Sequence, residues 1–141
     1  MELFLWDNDT FSVGNFMIDY DHQTLISIIN RMTIALDFDN FSNNLLIEIV
    51  DDLFKYTVYH FKNEETLLKK YNYPEFDLHH SVHEVFVSTM EMWVEKIKTR
   101  RYTREEIVDL NIFLKKWLSN HILKEDREYA PYIVNSKRDV L

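Results

Sequence analysis

A single glycine, Gly14, and two prolines, Pro74 and Pro131, punctuate a chain of 141 residues. Average usage would supply about ten glycines over this length. Glycine-rich phosphate loops are therefore absent, which removes the common nucleotide sites. Tight β-hairpins, which lean on Asn-Gly and Asp-Gly turns, are equally hard to place. The chain is expected to be all-α.

The apolar pattern supports this with four stretches at helical spacing. The first runs from about Asp19 to Leu36 and aligns Leu25, Ile28, Ile29, Met32 and Leu36. Turn-forming Asp37-Phe38-Asp39-Asn40 ends it. A second, from about Ser42 to Tyr71, aligns Leu46, Ile49, Val50, Leu53 and Thr57. Pro74 restricts the residue before it and so marks the boundary with a third stretch, about Glu75 to Lys98. That third stripe holds Val82, Phe86, Met90, Trp93, Val94 and Ile97. Thr103 and Glu106 form a capping-box pair that opens the fourth, with Ile107, Leu110, Leu114, Trp117 and Leu118 in step. Short connections favour antiparallel neighbours, hence one domain built as an up-down-up-down four-helix bundle. Residues 1–18 are read as an aromatic N-terminal arm packed on it, 19–134 as the bundle, and 135–141 as a solvated tail.

Composition narrows the function. The formal charge of −8 argues against nucleic acid, where a basic face is the usual footprint. With no cysteine, thiolate nucleophiles, iron–sulfur clusters and Cys-ligated zinc are excluded. No uncharged run exceeds nine residues, far short of the ~20 a membrane helix needs. Residues 1–15 carry Glu2, Asp7 and Asp9 without a basic residue, unlike a secretory signal, so the cytoplasm is the expected location. Lys98-Thr99-Arg100-Arg101 and Lys69-Lys70 are short basic clusters near helix ends, where cations suit the dipole.

The histidines fall on the apolar stripes. His22 precedes Leu25 by three, and His60 follows Leu53 and Thr57 by seven and three. His79 and His83 share the stripe of Val82 and Phe86, while His121 follows Leu114, Trp117 and Leu118. Only His80 falls off its stripe and is expected outside. One histidine on an apolar face is more often a hydrogen-bonded core residue than a ligand. Five converging in one small bundle would each need a buried partner, and a shared metal satisfies them together.

Two carboxylates join them. Glu64 lies one turn after His60. Asp126 lies five after His121, so an ideal helix would turn it about 140° away. A local π-type widening between Ile122 and Asp126 is therefore expected, a feature frequent at functional sites. Seven ligands exceed the four that one zinc takes and suit two ions sharing carboxylates. Imidazole with carboxylate favours iron, with manganese or zinc as alternatives.

These residues resemble the hemerythrin family, most closely its single-domain bacterial members, over nearly the whole chain. The resemblance is carried by Ile18-Asp19-Tyr20-Asp21-His22, His60-Phe61-Lys62-Asn63-Glu64-Glu65, Tyr73-Pro74 followed by His79 and His83, and Trp117-Leu118 before His121-Ile122, Asp126 and Tyr129. It implies that His79, His83 and His121 bind one iron, and that His22 and His60 bind another with an open position. It further implies that Glu64 and Asp126 bridge the pair together with an oxo or hydroxo group. Asp21 departs from the glutamine frequent before the first ligand, and Asn15 from a common aliphatic residue. Neither is a ligand.

The implied function is reversible dioxygen binding for storage, transport or delivery, with oxygen held as hydroperoxide after each ferrous ion gives one electron and the hydroxo bridge gives the proton. Leu25, Phe61, Trp117, Leu118 and Ile122 match pocket-lining positions and would keep water out. Tyr129 is expected to hydrogen-bond a ligand carboxylate. Oxygen-activating diiron bundles instead use Glu-x-x-His pairs, which this chain lacks, so a binder rather than an enzyme is expected, with weak peroxidase-like side activity. The alternatives are an oxygen or redox sensor acting through an unidentified protein partner, and a diiron enzyme consuming peroxide or nitric oxide.

Overall fold

The computed structural model describes residues 1–38 and 41–133. Six helices appear in chain order: α1 (Asn8–Phe11), α2 (Phe16–Leu36), α3 (Asn43–Lys70), α4 (Phe76–Lys98), α5 (Arg104–His121) and α6 (Arg127–Ile133). A π-helical turn, Ile122–Asp126, joins the last two. No strand occurs among the described residues. The four long helices α2 to α5 form the antiparallel bundle expected from the stripes. The expected turn at Asp39 and Asn40, and the expected tail at 135–141, lie outside the described residues.

Local chemistry sets the helix ends. The Ser42 side chain accepts from Leu45 N at 3.1 Å and starts α3. Thr103 and Glu106 make the reciprocal capping box that starts α5. Asn72 and Arg100 take positive φ of 54° and 57°, ending α3 and linking α4 to α5. α2 begins at Phe16, three residues before the position expected from its stripe. Asn15 caps it by accepting from Ile18 N at 3.1 Å, and Asp19 instead holds the arm by accepting from Val13 N at 2.9 Å. Gly14, at φ 82°, makes the turn between the two.

The arm packs on the bundle as expected, although residues 8–11 within it form one helical turn. Phe4 exchanges two backbone hydrogen bonds with the Asn30 amide, at 2.8 and 2.9 Å. Phe4 and Trp6 both contact the Phe11 ring and cover the core.

That core is divided. The larger cluster contains Leu25, Leu53, Phe61, Phe86, Leu114 and Leu118. A smaller one gathers Val13, Ile18, Leu68, Tyr73, Tyr129 and Ile133. Ile18 and Leu25 lie one turn to either side of His22, and Thr57 and Leu68 bracket His60 and Glu64 in the same way. A layer of buried polar side chains thus sits between two apolar ones.

Candidate metal centre

Each long helix contributes to this layer. α2 supplies His22, α3 His60 and Glu64, α4 His79 and His83, and the end of α5 His121. The π turn supplies Asp126, because the extra residue it accommodates brings position five back onto the His121 face. His121 Nε2 and Asp126 Oδ1 are 3.1 Å apart. The expected widening is thus present at Ile122–Asp126. All seven side chains are buried, none more than 3% exposed.

The donor atoms fall into two groups. One comprises Glu64, His79, His83, His121 and Asp126; the other comprises His22, His60 and Glu64. Glu64 divides its oxygens between them. Its Oε1 lies 2.5 Å from His79 Nε2 and 3.0 Å from His83 Nε2, while its Oε2 lies 3.2 Å from His60 Nε2. Asp126 does the same, with Oδ1 3.1 Å from His121 Nε2 and Oδ2 3.0 Å from His22 Nε2.

These short approaches are not all hydrogen bonds. Among the described residues, His22 Nε2, His60 Nε2 and both Asp126 oxygens are buried without an aligned hydrogen-bond partner despite their close neighbours. Buried polar atoms left that way are costly. Lone pairs that approach within about 3 Å without a proton on the line between them suit ligands along the edge of a coordination polyhedron with bonds of about 2.1 Å. His83 Nε2 meets His121 Nε2 at 3.2 Å, two nitrogens that a cation would reconcile. His83 Nδ1 donates to Glu65 Oε2 at 2.8 Å, which fixes the tautomer that leaves Nε2 as a lone pair. The site fits metal.

Aromatic rings hold the imidazoles in place. Phe61 stacks on His83 with centroids 3.6 Å apart, and Trp117 stacks on His121 at 4.6 Å. Tyr129 donates its O–H to Glu64 Oε2 at 2.9 Å, the carboxylate contact expected of it. A cavity of about 10 Å³ lies one turn from His22, His60 and His121 in the larger core cluster. Leu25, Phe61, Trp117 and Leu118 line it, with Leu53, Leu114 and Thr57 also in its wall. That volume is at the lower limit for one water molecule. Ile122 is buried in the same cluster, beside the residues that line the cavity. His80 is 44% exposed, and Glu65 and Glu84 flank its ring.

Three residues around the layer escaped the reading of the stripes as site residues. Glu65 bridges His83 and His80, and Asp21 accepts from His60 and from Tyr56. The adjacency of Asp21 to His22 and of Glu65 to Glu64 was the available signal.

Protons compete for this site. Burial opposes charge on His60, but the hydrogen bond to Asp21 and the nearby Glu64 carboxylate outweigh it and push the imidazole up to about 10. His79 is likewise opposed by burial and raised to about 10, by Asp126 and Glu64. Burial favours the neutral form of Glu64, yet the surrounding histidines hold its carboxyl well below the usual range. At neutral pH the metal-free His60 and His79 are therefore protonated, while a metal needs them neutral. Metal uptake at pH 7 is expected to release protons, and apparent affinity is expected to climb with pH until about 10. Calorimetric titration with ferrous ion in buffers of different ionisation enthalpy checks this; buffer-independent heats would contradict it.

Comparison with known proteins agrees with this geometry. The family profile of the hemerythrin HHE cation binding domain matches residues 13–133. A bacteriohemerythrin of Stenotrophomonas maltophilia is 32% identical over 94% of this chain and 83% of its own length. Another, from Methylococcus capsulatus, is 30% identical over 93% of this chain and 97% of its own. A crystal structure of wild-type hemerythrin superposes with a TM-score of 0.84 at 27% identity, covering 94% of this chain and 99% of that one.

Proposed function

The chain belongs to the hemerythrin family, and from that premise we propose that it binds dioxygen reversibly at a pair of iron ions, for storage, transport or delivery. His79, His83 and His121 would hold one ion, His22 and His60 the other, and Glu64 and Asp126 both, with a solvent-derived oxo or hydroxo group between. One observation carries the reading: Glu64 and Asp126 each turn one oxygen toward either histidine group. When bound, an iron pair supplies two electrons to dioxygen, one from each ion.

The protein's own residues govern whether that exchange reverses. Two histidines against three leave the His22 and His60 side with fewer donors, and so with room for a ligand. The Tyr129 hydroxyl orients Glu64. Leu25, Phe61 and Leu118 keep the adjoining cavity apolar and too tight for bulk water, so charge separation toward solvent is disfavoured there. The buried layer formed by the four long helices would enclose the ions.

The test is optical. The protein is loaded anaerobically with ferrous iron, bound metal is quantified, air is admitted, and argon is then passed. A visible absorption that appears with air and fades under argon, at one dioxygen per iron pair, supports reversible binding. Colour that never fades while iron stays bound would instead support the enzyme or redox-sensor reading.

A further inference from the structure

We propose that Asp21 is a positioning residue that, through His60, tunes the two-histidine ion toward its oxidised state, with Tyr56 moderating the effect from the outer side. This rests on the diiron reading above. Asp21 is 5% exposed and spends both oxygens on two hydrogen bonds. His60 donates Nδ1–H to Oδ2 at 2.9 Å, and Tyr56 donates O–H to Oδ1 at 2.9 Å. Tyr56 itself is half-buried at the α3 surface, so a line of hydrogen bonds runs from solvent through a carboxylate to a ligand imidazole.

A carboxylate behind a ligating histidine fixes the ring and makes its far nitrogen a stronger donor. The ring gains anionic character, which favours the more highly charged metal. The location makes this matter. Within the His22, His60 and Glu64 group two imidazoles contribute, and among the described residues His22 Nδ1 has no hydrogen-bond partner. Among the described residues, the charge-assisted support behind a histidine of that group therefore comes from Asp21. Tyr56 draws on the same carboxylate, so its hydrogen bond weakens what Asp21 gives to His60.

The two residues therefore act with opposite sign. Midpoint potentials of the iron-loaded full chain, followed by spectroelectrochemistry after metal content is measured, decide it. Asp21→Asn keeps the volume and removes the charge; it is expected to favour the reduced form about tenfold, or about 59 mV for a one-electron step. Tyr56→Phe is expected to shift the potential the other way by a smaller factor. An Asp21→Asn protein with two irons and an unchanged or lowered potential overturns the proposal. If that variant fails to fold or to hold iron, Tyr56→Phe decides, and a shift toward the reduced form, or none, overturns it. If the unsubstituted chain does not hold two irons, the diiron reading itself fails.

Discussion

Substituting Glu64 by glutamine is expected to lower bound iron from two ions per chain to one or none, with affinity falling by more than about 100-fold, the upper range for losing an outer partner of a ligand. The substitution keeps the shape of the side chain and changes only its chemistry. Glu64 turns Oε1 toward His79 and His83 and Oε2 toward His60. A glutamine has a single oxygen to offer and must present its NH2 to the other group, where lone pairs already converge. It also removes the negative charge that would stand between two cations. Since the Tyr129 hydroxyl can still donate to an amide oxygen, the helices are expected to stay folded, as circular dichroism would show. Metal analysis after gel filtration gives the answer. Full iron content in this variant would remove Glu64 from the ligand set.

The second large effect concerns Leu118. Changing it to asparagine is expected to speed oxidation of the oxygenated protein by about tenfold or more, equivalent to about 1.4 kcal/mol of stabilised charge separation. Leu118 is 4% exposed and lies in the wall of the cavity of about 10 Å³. An amide there supplies a hydrogen-bond donor and anchors water, and both lower the cost of parting charges next to the site. Loss of the leucine is also expected to destabilise the fold by about 2–5 kcal/mol, the range for truncating a buried leucine. The rate is therefore read well below the melting transition, from the decay of the visible band in air. An unchanged rate would show that Leu118 does not guard the site.

Helical periodicity made most of this molecule legible. The histidine positions relative to Leu25, Thr57, Phe86 and Leu118 placed five imidazoles in one layer, and they lie there. Even an irregular feature could be read: Asp126 is useful beside His121 only if the helix widens, and it does. What escaped depends on contacts across helices. Asp21 looks like a solvated residue in the sequence, but α3 brings His60 and Tyr56 against it. Glu65 follows a buried Glu64 and reads as the exposed neighbour, although α4 presents His83 and His80 to it. The start of α2 was misjudged because Asn15, not the first stripe residue, sets it.

Reversible oxygen binding here requires two metal ions that share two carboxylates. Anomalous diffraction at the iron edge from crystals of the iron-loaded chain tests this most directly. Two peaks are expected, one among His79, His83 and His121 and one beside His22 and His60, with Glu64 and Asp126 between them. A single peak, or two that do not share these carboxylates, would contradict it.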